Sequence, residues 1–303
     1  MWTLIECAGH PRDMGLAQGG AERAAIRRAI SSLDLPLRRS RLPSLRPLVS
    51  GPMRGSGAGR ELFRHFAHQS ERLEGLARGA GVPLDSLLEL HLRVRAGGEA
   101  GGLLSRRAAL RVSPAESGAG RVPVRLERSL PRAAAGEPGF LLRESRPVVG
   151  FRSVEVTLPW LVSSVAGVNE GGLAVIAGPM LWGEPGFLGW PPSLLLVQEC
   201  LQRFEDLSSA VDWCTKRPVE GEQTLVLADA SGAVASVIAS GRKRRVQPGE
   251  GEIQLEAGEP PASEVESGSD SRDGASGEDR IFLDPGARRL RLEAAGTSVE
   301  IAL

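Results

Sequence analysis

A chain of 303 residues with 41% hydrophobic content has room for one large domain or two small ones and can bury a sizeable core. Its 37 basic and 37 acidic residues cancel, and its pI is near 6.9, which excludes the net basic face that phosphate binding needs. Aromatic residues make up 4% and tyrosine is absent, so Leu, Val and Ala have to build the core.

In chain order, MWTLIECAG reads as a short strand. HPRDMGLAQGGAERAAIRRAISSLDL reads as one amphipathic helix that starts after Pro11, a residue whose fixed φ suits a first turn. The Pro/Gly/Ser-rich stretch RLPSLRPLVSGPMRGSGAG reads as a loop. RELFRHFAHQSERLEGLARGAG is a second helix ended by Gly79 and Gly81, and PLDSLLELHLRVRAG a third with Asp85 placed for capping.

After about Leu110 the period shortens. AALRVS, RVPVRLE, RSVEVTL, LVSSVAGV and GLAVIAG read as strands. PSLLLVQECLQRF and DLSSAVDWCTKR are two more helices, EQTLVLADASGAVASVIAS is a hairpin around ASG, and GRKRRVQ is a solvated basic turn. Residues 258–279 are acidic, rich in Ser and Gly, and read as a mobile loop. RIFLDPGARRLRLEAAGTSVEIAL closes the chain with a hairpin and a final strand. The expected class is α+β, an antiparallel sheet core with helices on its faces, in one domain over 1–303: a mostly helical segment over 1–104 and a sheet-rich one over 105–303.

Three cysteines, Cys7, Cys200 and Cys214, are too few and too scattered for a disulfide framework or a zinc site, and each reads as packed in the core. His65 and His68 sit three apart on one helix with no acidic or cysteine partner in view, and His91 reads as a packed histidine, so no metal and no cofactor is expected. The opening residues carry no charged leader, and no apolar run is long enough to cross a bilayer, so the expected location is the cytoplasm. Trp182, Phe187 and Trp190, among Gly and Pro, read as surface-loop packing or as an apolar rim.

Several motifs in series carry a resemblance. GHPRDMGLAQG, LEGLARGAGVPLDSLLELHLR, AGVNEGGLAV, SLLLVQECLQRFEDLSSAVDWC, TLVLADASGAVASV and IFLDPGARRLRLEAAG follow the order seen in the penicillin acyltransferase family of N-terminal nucleophile hydrolases, relatives of choloylglycine hydrolase. The resemblance implies a four-layer αββα sandwich and a precursor that cleaves itself before an internal Cys. The freed Cys would be the nucleophile and its α-amino group the base, acting on the C–N bond of acyl amides.

The chain departs from that pattern at the reacting residue. Aligning ALRVS places Arg107 at the nucleophile position, with Ala108 and Ala109 after it, and no cysteine lies between Cys7 and Cys200. A guanidinium stays protonated and offers no lone pair. The family's Arg-Asn-x-Asp segment appears as RSLP, so Arg128 remains while Ser129 and Pro131 stand where Asn and Asp are expected. Ser105, two residues upstream, is the alternative nucleophile. Asn169, the only asparagine, matches an oxyanion-hole position by resemblance, and by its own chemistry suits a tight Asn-Glu-Gly-Gly turn. The three readings are a degenerate family member without the chemistry, an active amidohydrolase using Ser105, and a binder of acyl ligands that does not turn them over.

Overall fold

The structure, a computed structural model, describes residues 2–37, 61–94, 110–114, 124–133, 139–178, 193–217, 219, 223–240, 243–249, 278–294 and 296–303. Ser105, Arg107, the 179–192 stretch with Trp182, Phe187 and Trp190, and almost all of the acidic loop lie outside the described residues.

The strand β1 (Leu4–Gly9) leads into α1 (Pro11–Ala21), α2 (Arg23–Ser31), α3 (Ala67–Ala80) and α4 (Leu84–Val94). Then come β2 (Leu110–Pro114), β3 (Val124–Leu130), β4 (Leu141–Pro147), β5 (Ser153–Thr157), β6 (Ala166–Asn169) and β7 (Leu173–Ala177). The helices α5 (Leu195–Arg203) and α6 (Leu207–Lys216) follow, then β8 (Gln223–Asp229), β9 (Val234–Ser240), β10 (Lys243–Pro248), β11 (Asp279–Asp284), β12 (Arg289–Ala294) and β13 (Thr297–Ala302).

The strands form an eight-stranded sheet, β1-β4-β5-β6-β7-β8-β9-β10, and a five-stranded sheet, β13-β12-β11-β3-β2. The two sheets stack, β3 facing β7, β11 facing β6 and β12 facing β5. Alternation makes this possible: Leu126, Leu130, Ile281, Leu283, Leu290 and Leu292 point inward and are buried. On the other face of the small sheet, Arg125 and Arg291 lie over the Phe282 ring. The helices α5 and α6 cover β6–β9 on the outer side of the large sheet. The expected α+β class and the stacked sheets of the αββα plan are present.

The helices α1 and α3 approach each other backbone to backbone. A Cβ added at Gly15 would lie 2.0 Å from the Arg72 carbonyl oxygen, and one at Gly75 would lie 2.0 Å from that of Arg12. Gly19 and Gly79 repeat the arrangement one turn on. Two Gly-x-x-x-Gly faces therefore interlock backbone to backbone, and Gly79 is a packing residue rather than a helix stop. Gly81 supplies the stop, in the left-handed conformation at φ 66°.

Three further expectations need correction, and one strand lies where none was expected. The first helix is two, broken at Glu22 (φ −105°, ψ 19°) after the Gly19–Gly20 pair. The large sheet is mixed, because β1 runs parallel to β4. The stretch LLRESRP, which charge hides as a strand, is β4, buried on both faces from Leu141 to Ser145. Lys243–Pro248 is not a turn but the exposed edge strand β10, whose polar side chains suit an edge.

Candidate functional site

Leu141 pairs with Thr157, Val156 with Ala166, and Ala166 with Ile176, so the start of β4, the end of β5, the start of β6 and the end of β7 share one end of the sandwich. Arg128 reaches across to that end. It projects from β3 into the space between the sheets and is 1% exposed. Its Nη1 donates to the carbonyl of Val165 at 3.1 Å and to that of Ala177. The neighbouring strand β2 begins at Leu110, the register partner of Arg128. Ser105 and Arg107 precede Leu110 in sequence and lie outside the described residues.

The electrostatics of Arg128 are unusual. Among the described residues no carboxylate pairs with it, and its Nε has no hydrogen-bond partner. Burial lowers its pKa to about 10, so it stays a cation at neutral pH. Two carbonyls fix one nitrogen and leave the Nε–Nη2 edge, the fork that takes a carboxylate side-on. The Ser164 hydroxyl, one residue before Val165, is also buried without a partner among the described residues. Gln223 holds the neighbouring Gly178 carbonyl through Nε2 at 3.1 Å and accepts from Ser193 Oγ at 2.9 Å. At the same end a cleft of about 1060 Å³ opens between Phe140 and Pro159 on one side and Leu292 and Val299 on the other. Arg132 lies on its wall, bonded to Asp279 at 2.8 Å.

Asn169 lies elsewhere. It is at the far end of β6 and, by alternation with Gly167, points to the helical layer. Its Nδ2 donates to the carbonyls of Leu201 (2.8 Å) and Phe204 (2.7 Å), and its Oδ1 accepts from Leu173 N–H (2.8 Å). Both amide hydrogens are committed to the C-terminal turn of α5, and the acceptor closes the turn with Gly172 at φ 94°. The structure thus separates Asn169 from Arg128 by sheet face and by sheet end.

The cysteines are also away from Arg128. Cys7, opposite Ser145 in β4, packs with Met14 and Leu141, and Cys200 and Cys214 face each other between α5 and α6. His91 is buried: Nδ1 bonds the Leu87 carbonyl at 2.8 Å and Nε2 accepts from Val162 N–H at 3.1 Å, with Trp160 edge-on. Burial lowers its pKa to about 4, which keeps it neutral and structural. His65 does have an acidic partner, Glu61 at 3.2 Å one turn earlier. Among the described residues no three His, Cys, Asp or Glu side chains cluster as a metal site, and no helix is long and apolar enough to cross a membrane.

Sequence reading missed a buried ionic hub on the helical side of the large sheet. Arg143 and Glu155 are each 0% exposed and bonded at 2.5–2.7 Å. Gln18 and Gln198 accept from Arg143 at 2.8 and 2.6 Å, tying α1 and α5 to β4. Gln198 Nε2 and Ser153 Oγ donate to Glu155. Burial pushes the Glu155 pKa up, but Arg143 and Arg72 outweigh it and the carboxyl is held below its usual value. Part of the signal was present, since β5 (SVEVT) carries Glu155 at its centre between two valines.

No family model matches the sequence, and no curated protein matches it either. Solved structures do. Penicillin V acylase from Agrobacterium tumefaciens matches with a TM-score of 0.43 and 17% identity over 65% of this chain and 86% of its own. A mutant conjugated bile acid hydrolase from Clostridium perfringens matches with a TM-score of 0.42 and 8% identity over 65% and 92%. The Caenorhabditis elegans ortholog of N-acylethanolamine-hydrolyzing acid amidase matches with a TM-score of 0.40 and 11% identity over 59% and 93%.

Proposed function

We propose that the chain is an acyl-amide-hydrolase-like protein that has lost its nucleophile and holds an acyl ligand by its oxyanion without turning it over. The observation that carries this reading is the buried Arg128 cation, with one fork edge free and every cysteine of the chain placed elsewhere. A buried unpaired charge costs several kcal/mol, and an anionic ligand at the free edge offsets that cost. Phe140, Pro159, Leu292 and Val299 give a separate cleft an apolar surface for an acyl chain, beside the charged Glu22, Arg28, Arg132 and Asp279. Arg107, standing for the nucleophile, has no chemistry to offer, and the committed N–H groups of Asn169 favour a structural tie over an oxyanion hole.

The test compares hexanoate with hexanamide, which share a chain and differ in charge. Saturable stabilisation by hexanoate alone is expected, with no hydrolysis of acyl amides. Equal responses to both, or none to either, would overturn the binding reading. Turnover that ends on Ser105→Ala would replace it with the serine-nucleophile reading.

A further inference from the structure

Cys200 and Cys214 are both fully buried, both free, and their Sγ atoms lie 3.4 Å apart. They stand on facing sides of α5 and α6, consecutive helices joined by residues 204–206. A disulfide needs the sulfurs at about 2.05 Å, so an approach of roughly 1.4 Å closes the gap. We propose that these two thiols are a redox-operated lock, forming a reversible disulfide that staples α6 to α5.

The exchange is balanced with a small-molecule disulfide as oxidant. One thiolate attacks the oxidant, a mixed disulfide forms and one small thiol leaves. The second cysteine then attacks the mixed disulfide, the Cys200–Cys214 bond forms and the second small thiol leaves. Two electrons pass to the oxidant, and the two cysteine protons end on the two released thiols.

The helices differ in how firmly they are held, which gives the lock something to act on. α5 is buried along nearly its whole length, and Asn169 ties its last turn to the sheet. α6 buries only Ala210 and Cys214, and its N-terminus is held by the Asp206 cap and by Asp229. Contact with Cys214 and burial push the Cys200 thiol up, so attack waits for α6 to lift. Once closed, the bond makes α6 share the anchoring of α5. Cys7 packs in a separate cluster under α1 and serves as an internal control.

The full chain is incubated natively with oxidised glutathione, quenched in acid, and alkylated with iodoacetamide in denaturant. Loss of two of the three alkylatable thiols is expected, with the peptides holding Cys200 and Cys214 joined across the Arg203 cleavage point. Oxidation should quicken in mild denaturant, raise the Tm and reverse with dithiothreitol. Cys200→Ser, a near-isosteric change, should remove both the linkage and the Tm rise. Three alkylatable thiols after oxidation, a bond that includes Cys7, or only glutathione adducts would overturn the proposal. A sample oxidised while unfolded supplies the contrast, because there Cys7 competes for partners.

Discussion

Gly15 and Gly20 lie on the same helix, and replacing each with Ala should move stability in opposite directions. At Gly15 the new Cβ falls 2.0 Å from the Arg72 carbonyl oxygen and 2.8 Å from the Leu76 nitrogen, where ordinary contact begins at 3.4 Å. Both obstructing atoms are backbone, so no side chain can swing aside. α1 and α3 must part by about 1.4 Å, the difference between 3.4 and 2.0 Å. That strain belongs at the top of the overpacking range, about 3 kcal/mol. Alanine returns about 1 kcal/mol of helix propensity, which leaves a net loss of about 2 kcal/mol. At Gly20 nothing lies within 4 Å of the added Cβ. Only the propensity gain remains there, about 1 kcal/mol of stabilisation. Urea unfolding at pH 7 reads both. If Gly15→Ala proves as stable as Gly20→Ala, the interlocked helix pair is not as described.

The His91 side chain gives stability a pH dependence. Its folded pKa of about 4 lies below the ordinary 6.5, so the unfolded chain binds the proton first as pH falls. Stability is whole above about pH 6.5 and declines towards pH 4 by about 3 kcal/mol, a loss that His91→Gln should largely remove when urea midpoints are compared across that window. Glu155 adds to the acid side with the same sign, because its depressed carboxyl stabilises above the unfolded value and loses that contribution as pH drops. Arg143→Met should cost about 3–5 kcal/mol by stranding a buried carboxylate, and adding Glu155→Gln should restore part of it, as a double-mutant cycle would record. Asn169→Ala should cost about 2–3 kcal/mol by orphaning the carbonyls of Leu201 and Phe204 and the Leu173 N–H, and hexanoate should still stabilise the variant. Loss of that response in a folded Asn169→Ala protein would place Asn169 in the ligand site.

Much of this architecture was written in local pattern. Short apolar runs such as LAVIA and TLVLAD, the Pro11 helix start and the Gly81 stop all formed where their residues direct them. The strand β4 escaped notice because Arg143 and Glu144 mask an apolar period. Their partners, Glu155 and Gln198 for one and Arg152 for the other, are supplied only by the folded chain. Gly79 looked like a terminator because sequence cannot show that a second helix passes over it. The same limit applied to Asn169: its place in a turn was legible, but not the helix end 32 residues later that takes both of its hydrogens. Arg128 could be picked out by resemblance. Its isolation from every carboxylate among the described residues emerged only when the sheets were stacked.

The intact mass of the purified chain tests most directly the proposal that it no longer cleaves itself. The account predicts one species near 32.1 kDa, unchanged on prolonged incubation at neutral pH. Two chains, the larger beginning at Ser105 or a close neighbour, would show a working nucleophile and contradict that reading.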